Sequence, residues 1–191
     1  MKQIFWGVLL IIGMQSCVTF ERKDQNPYLL NKDNLKELSG SYQISQVNAD
    51  SIFKKYPQNT RLYNNFLSEI DRKLLKDTLK LNSNSTYRFD LDIISDREAK
   101  ISYIENERII RVRNLRTKLK KDGYLYLKNK NVGFVIIPYL AGAIDVKKTR
   151  MTKALNGNLI FDVVNHRSGA FMIILFLDGR TWKYRQEYQR L

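Results

Sequence analysis

Polar and apolar residues alternate along most of the chain from Leu38 onward. In "STYRFDLDII", every second residue from Tyr87 to Ile93 is apolar, which is the period of a strand with one buried face. "LSGSYQISQV" shows the same period, and the closing "TWKYRQEYQRL" places Trp182, Tyr184 and Tyr188 on one face. These segments predict antiparallel sheet with one face toward a core.

One segment has a helical period instead. In "NTRLYNNFLSEIDRKLL", Leu62, Phe66 and Ile70 recur at every fourth position, which places them on one side of a helix. Asn59 or Thr60 offers an N-cap. The pattern predicts one α-helix near residues 60–75, with its apolar stripe packed on the sheet.

Three Asx-Gly pairs lie between apolar runs: Asp122-Gly123, Asn156-Gly157 and Asp178-Gly179. Such pairs favour two-residue hairpin turns. The segment "RIIRVRNLRTKLKK" fits either a strand or a helix, and the turn at Asp122-Gly123 favours the strand. We therefore predict an antiparallel meander of about eight to ten strands, which closes into a barrel or half-open barrel and so removes exposed edges.

The N-terminus has the layout of an exported protein. Lys2 precedes a short apolar run from Ile4 to Gly13, and Ser16 precedes Cys17, the only cysteine. The run is too short to span a bilayer and suits a signal peptide. We expect a lipoprotein signal peptide at 1–16, an acylated Cys17 followed by a polar tether at 17–37, and one domain at 38–191. An uncleaved helix with a buried thiol is disfavoured because polar "ERKDQN" follows at once.

The formal charge of +14 commonly suggests a nucleic-acid partner, but export argues against one. We expect no nucleic acid. Four basic residues are candidates for an anionic lipid or glycan surface: Arg111, Arg113, Lys118 and Lys120. On the strand interpretation the two arginines share a wet face and the lysines crowd the next turn. The alternative is that acidic residues on neighbouring strands offset this charge.

The later part of the chain is similar to a known group. "KLKKDGYLYLKNKNVGFVIIP", "KALNGNLIFDVV" and a late "GAF" resemble the lipocalin-like small lipoproteins common in Bacteroidetes, mostly of unassigned function, over roughly residues 38–190. Gly40-Ser41-Tyr42 also resembles the Gly-x-Trp of lipocalin first strands, with Tyr in place of Trp. The resemblance implies a one-domain barrel at the outer membrane, on its periplasmic face by default, and it supplies no catalytic residues.

Catalytic chemistry finds little support in the sequence. The only histidine, His166, lies in "VVNHRSGAF", which we interpret as an exposed hairpin loop with Asp162 before it and Ser168 after it. Three such residues around one turn do not easily form a triad. One histidine and one acylated cysteine cannot supply a zinc site. We expect no enzyme, no metal and no cofactor.

Two functions of different classes remain. In the first, the barrel binds a small apolar or amphipathic molecule, with these aromatic residues as candidates: Tyr42, Tyr87, Phe89, Tyr103, Trp182 and Tyr184. In the second, the same residues fill the barrel, as inward residues of small barrels usually do, and the protein is a structural or interaction lipoprotein of an envelope complex.

Overall fold

The computed structural model describes residues 19–20, 26–47, 66–70, 82, 84–128, 132–137, 141–171 and 175–191. The predicted signal peptide, Cys17 and most of the predicted helix lie outside these residues. The strands are β1 (Gly40–Gln46), β2 (Tyr87–Ser95), β3 (Glu98–Glu105), β4 (Arg108–Leu119), β5 (Leu125–Leu127), β6 (Val132–Ile137), β7 (Ala141–Lys153), β8 (Leu159–Phe171) and β9 (Leu175–Arg190). A 3-10 helix (Leu35–Leu38) precedes β1, and α1 (Phe66–Ile70) lies between β1 and β2.

The strands form a closed antiparallel barrel. Among the described strands, each pairs with the next strand in the chain, except that β5 does not pair with β6. Both of these strands pair with β7, and β9 pairs with β1. β5 lies across Thr149–Met151 and β6 across Ala141–Val146, so these two short strands share one edge of β7. The result is an eight-stranded barrel, consistent with a lipocalin-like fold, and the described residues contain little helix. The predicted fold class is confirmed.

Two of the three predicted glycine turns are present. Gly123 and Gly157 have φ values of 71° and 90°, which glycine adopts without steric cost, and they join β4 to β5 and β7 to β8. The prediction at Asp178-Gly179 is wrong, because both residues lie inside β9. The β8–β9 register shifts between Arg167 and Gly169, so Asp178 and Gly179 form a bulge opposite one residue.

Close packing explains Gly179 better than turn geometry does. A Cβ at this position would lie 3.1 Å from Cε1 of His166, which is tighter than ordinary van der Waals contact. The glycine therefore lets the His166 ring lie against the β9 backbone.

A further turn contains no glycine. Asn106 and Glu107 have φ values of 45° and 68°, and they join β3 to β4 directly after Glu105 pairs with Arg108. The side-chain oxygen of Asn106 accepts hydrogen bonds from the backbone N–H of Thr86 at 2.9 Å and from its hydroxyl at 3.1 Å. This hairpin continues into β4, which confirms the strand interpretation of the ambiguous segment.

One end of the barrel is closed by the chain that precedes β1. Leu30, Leu35 and Leu38 are buried, and the guanidinium of Arg190 donates to the Ser39 carbonyl at 2.7 Å. The Asn26 amide donates to the Gly123 carbonyl at 2.9 Å. We call this the sealed end. The folded domain thus includes residues 26–37, ahead of the predicted boundary at Leu38, because the leucines within this polar segment cover the core.

The core beside the sealed end is aromatic. Phe66 of α1 stacks on Phe89 with 3.8 Å between ring centroids, and its edge contacts with Phe161 and Tyr188 are 5.2 and 5.0 Å. All four side chains are fully buried. The helix prediction is confirmed for residues 66–70, whose apolar side chains pack against the inner face of the sheet.

Candidate functional site

The six aromatic candidates share the interior face of the sheet but differ in environment. Tyr42, Phe89 and Tyr103 are fully buried, and the Tyr42 hydroxyl donates to the Leu38 carbonyl at 2.8 Å. These three side chains belong to the packed core. They fill the barrel interior rather than line open space.

The other three candidates lie farther from the sealed end. Tyr87 is half-buried, and its hydroxyl donates a hydrogen bond to the Glu105 carboxylate at 2.6 Å. This hydrogen bond is the main reason why the pKa of Glu105 is lowered. Tyr184 is half-buried, whereas Trp182 is 43% exposed. The interior therefore changes from sealed and apolar to accessible and polar along the barrel.

A buried ion pair lies where α1 meets the wall. Nζ of Lys147 donates to the Glu69 carboxylate and, at 2.8 Å, to the Glu69 carbonyl, and the two side chains are only 2% and 8% exposed. The Tyr184 hydroxyl donates to the same carboxylate at 2.9 Å. The sequence did not predict this pair. Glu69 is one acid beside the apolar stripe of the predicted helix, and no pattern around Lys147 indicates that its side chain is buried.

A second polar group, the outer ion cluster, consists of Asp162, Arg150 and Arg185 on the outer face of β7, β8 and β9. Nε of Arg150 lies 2.9 Å from Asp162 Oδ2, and Nε of Arg185 lies 2.7 Å from Oδ1. Arg150 also stacks on the rings of Tyr124 and Phe20, at 3.8 and 4.4 Å from their centroids. The hydrogen bond to Asp162 is the main reason why the pKa of Arg185 is raised.

The position of His166 differs from the prediction. It lies within β8, between Val146 of β7 and Thr181 of β9, and its Nδ1 is 2.8 Å from the Thr181 hydroxyl. The predicted hairpin loop is therefore wrong, because β8 continues to Phe171. Asp162, four residues earlier in β8, bonds Arg150 and Arg185, whereas His166 Nδ1 contacts Thr181.

Arg111 and Arg113 face the barrel interior, which corrects the predicted wet face. Arg111 pairs with Tyr103, and Arg113 pairs with Ile101, and directly opposed residues on paired strands share a face. Both arginines are half-buried, whereas Val112 between them is 45% exposed. We call Arg111 and Arg113 the inner arginine pair.

The two lysines of the predicted basic surface are on the outside. Lys118 and Lys120 are exposed, and Nζ of Lys120 lies 3.5 Å from the ring centroid of Tyr126. An open cleft of about 700 Å³ lies nearby, between the β2–β3 turn and the end of β4. Its charged lining residues are Asp96, Arg97, Glu98, Arg116, Lys118 and Lys128. Both signs of charge are mixed there, which is typical of a solvated surface.

Within the described ranges, no group of three or more His, Cys, Asp or Glu side chains is placed to hold a metal ion. No helix among the same residues is long and apolar enough to cross a membrane. Comparison with known proteins found no matching family model, no similar curated protein and no similar solved structure.

Proposed function

We propose that this protein is a lipoprotein of the cell envelope whose barrel binds an amphipathic small molecule without chemical conversion. The division of the interior is the observation that carries the proposal. The interior contains an aromatic core, and beside this core the inward face carries Arg111, Arg113, Lys147 and Tyr184. An interior with an apolar part and a polar part suits a ligand with the same division.

The start of the described chain supports an anchor at Cys17. Phe20 contacts the barrel, with its ring centroid 5.6 Å from that of Tyr126. Cys17 lies three residues earlier, a reach of about 10 Å. Acyl chains such as palmitate on Cys17 would hold this side of the barrel against the inner leaflet of the outer membrane.

The same side of the barrel carries positive charge. Lys120 stacks on Tyr126, which in turn contacts Phe20, and Lys118 is exposed on the same hairpin. Basic side chains at an anionic membrane surface contribute about 1 kcal/mol each. Lys118 and Lys120 would therefore reinforce the anchor, and this attraction would weaken as salt is raised.

Replacing the cysteine tests the anchor. We expect Cys17→Ser to abolish incorporation of a labelled palmitate analogue and to release the protein from membranes after a high-salt wash. Lys118→Gln with Lys120→Gln keeps Cys17 and serves as the control, because it should retain the label. Retention of Cys17→Ser in salt-washed membranes would exclude the lipoprotein proposal.

Mass analysis tests the ligand. The native, lipidated protein is purified, and the small molecules that leave it on denaturation are identified and quantified. We expect one class of amphipathic molecule in near-stoichiometric amount. Recovery of no such molecule from protein purified directly from the envelope would exclude the binding function.

A second candidate is a structural or interaction lipoprotein with a filled barrel. The packing of Phe66 against Phe89, Phe161 and Tyr188 favours it, because α1 occupies interior space that a ligand would need. On this alternative, cross-linking in intact cells yields an envelope protein partner, and denaturation releases no small molecule.

A further inference from the structure

We propose that Arg111 forms an anion-recognition site at a gap in the barrel wall, and that this site binds the carboxylate or phosphate head group of the amphipathic ligand. The inference rests on the proposed function and names the chemical class of the ligand. It depends on two separate features of β4, its incomplete pairing and the Nε of Arg111 on its inner face, which is unpartnered among the described residues.

The pairing of β4 leaves part of the wall open. One edge of β4 pairs with β3 along nearly its whole length, whereas the other pairs with β5 only from Thr117 to Leu119. β6, the next segment along the wall, pairs with β7. Among the described strands, none pairs with the second edge of β4 at residues 108–114, so the wall there lacks its ladder of hydrogen bonds. Arg111 lies in the middle of this gap.

The charge of Arg111 is unmatched. Its Nε is buried and has no hydrogen-bond partner in the described part of the chain, and none of the residues described there forms an ion pair with its guanidinium. A buried donor left without a partner destabilises the fold. An anion that enters through the gap would offset this cost.

Two acidic side chains in or near the interior, Glu105 and Glu69, have partners within the described part of the chain. Glu105 accepts a hydrogen bond from Tyr87, and Glu69 pairs with Lys147. Among the described residues, these two acids therefore have partners other than Arg111.

The guanidinium limits the kind of anion. Its planar fork matches the two oxygens of a carboxylate or phosphate, with two parallel N–H···O bonds. Tyr103, directly opposite Arg111, belongs to the packed core, so the guanidinium lies at the margin of an apolar region. An amphiphile with a carboxylate or phosphate end fits this combination, and an uncharged lipid alcohol does not.

Binding of three C12 amphiphiles tests the site: laurate, dodecyl phosphate and 1-dodecanol. The full chain is used in one non-ionic detergent at a fixed concentration, so that partition of the amphiphiles into micelles affects every protein variant equally. Inorganic phosphate alone is the fourth probe. We expect Arg111→Gln to lower the affinity for laurate and dodecyl phosphate about 10- to 100-fold, which corresponds to the loss of a charge-assisted hydrogen bond. The affinity for 1-dodecanol should not change.

Arg116→Gln is the matched control, because it removes the same charge from the exposed side of the same strand. Arg111→Lys keeps the charge without the fork and should lose an intermediate amount. Equal anion binding by Arg111→Gln and wild type, or an equal loss in Arg116→Gln, overturns the site. If 1-dodecanol still binds in that case, the proposed function stands.

Two other results are equally decisive. If none of the amphiphiles binds the wild-type chain, both the site and the proposed function fail. If inorganic phosphate binds as tightly as dodecyl phosphate, the site takes a free anion, and the assignment of an amphiphile is overturned.

Discussion

The outer ion cluster and Arg111 of the inner arginine pair both lie on the barrel wall, and they differ in how fully the arginine charge is matched among the described residues. Asp162 is 2% exposed and bonds both Arg150 and Arg185. Arg111 has a buried Nε without a partner among the described residues. Removing the carboxylate from a buried ion pair destabilises a fold, because it leaves a buried charge uncompensated, and a buried donor without a partner also costs stability. This contrast is the basis of our proposal that the fold explains the first site and a ligand the second.

The largest expected effect is at the outer ion cluster. We expect Asp162→Asn to lower the free energy of unfolding by about 3–5 kcal/mol, because two arginines lose their shared charge. Urea denaturation followed by circular dichroism measures it. Asp90→Asn is the control, since Asp90 is 42% exposed and should change stability by less than about 1 kcal/mol. A loss below 1 kcal/mol for Asp162→Asn would remove the contrast between the two sites.

The second prediction compares the same substitution at both sites. Arg150→Met should lower the free energy of unfolding by about 2–3 kcal/mol, because it leaves Asp162 with fewer donors. Arg111→Met should raise it by about 1 kcal/mol, because an unmatched buried donor is replaced by an apolar side chain. Urea denaturation without added ligand measures both, and the same sign of change for the two variants would contradict the proposed difference.

The third prediction concerns alkaline pH. Burial raises the pKa of Tyr188 well above its ordinary value, so the folded protein keeps this proton where the unfolded chain loses it. Stability is complete below about pH 10 and then falls by about 1.4 kcal/mol per pH unit. Phenolate absorbance at 295 nm should therefore rise together with unfolding. Tyr188→Phe removes this contribution and should move the alkaline transition to higher pH, while unchanged behaviour would show that Tyr188 ionises in the folded state.

The smallest effect is expected at the exposed lysines. Lys118→Gln with Lys120→Gln should change the free energy of unfolding by less than about 1 kcal/mol, since Lys120 loses only an exposed contact with Tyr126. The same pair should reduce adsorption to vesicles with anionic lipid, but not to purely zwitterionic vesicles. A large loss of stability would assign these lysines a structural role like that of the outer ion cluster.

The sequence alone determined the fold class and most local elements. Alternation of apolar residues predicts strands. Tight hairpin turns require a positive φ, which glycine adopts readily, so the turns at Gly123 and Gly157 follow from residue type. Phe66 and Ile70 likewise predict a helix from their own spacing. These features depend on neighbours within a few residues, which a single sequence displays directly.

The tertiary structure alone decided which side of each element is inside and what meets there. Alternation shows that Arg111 and Arg113 share a face, but only the register with Tyr103 and Ile101 of β3 turns that face inward. Asp162 meets Arg185, and Gly179 meets His166, through the pairing of β8 with β9. The physical reason is that register and barrel closure join residues far apart in the chain, and no local pattern encodes their contact.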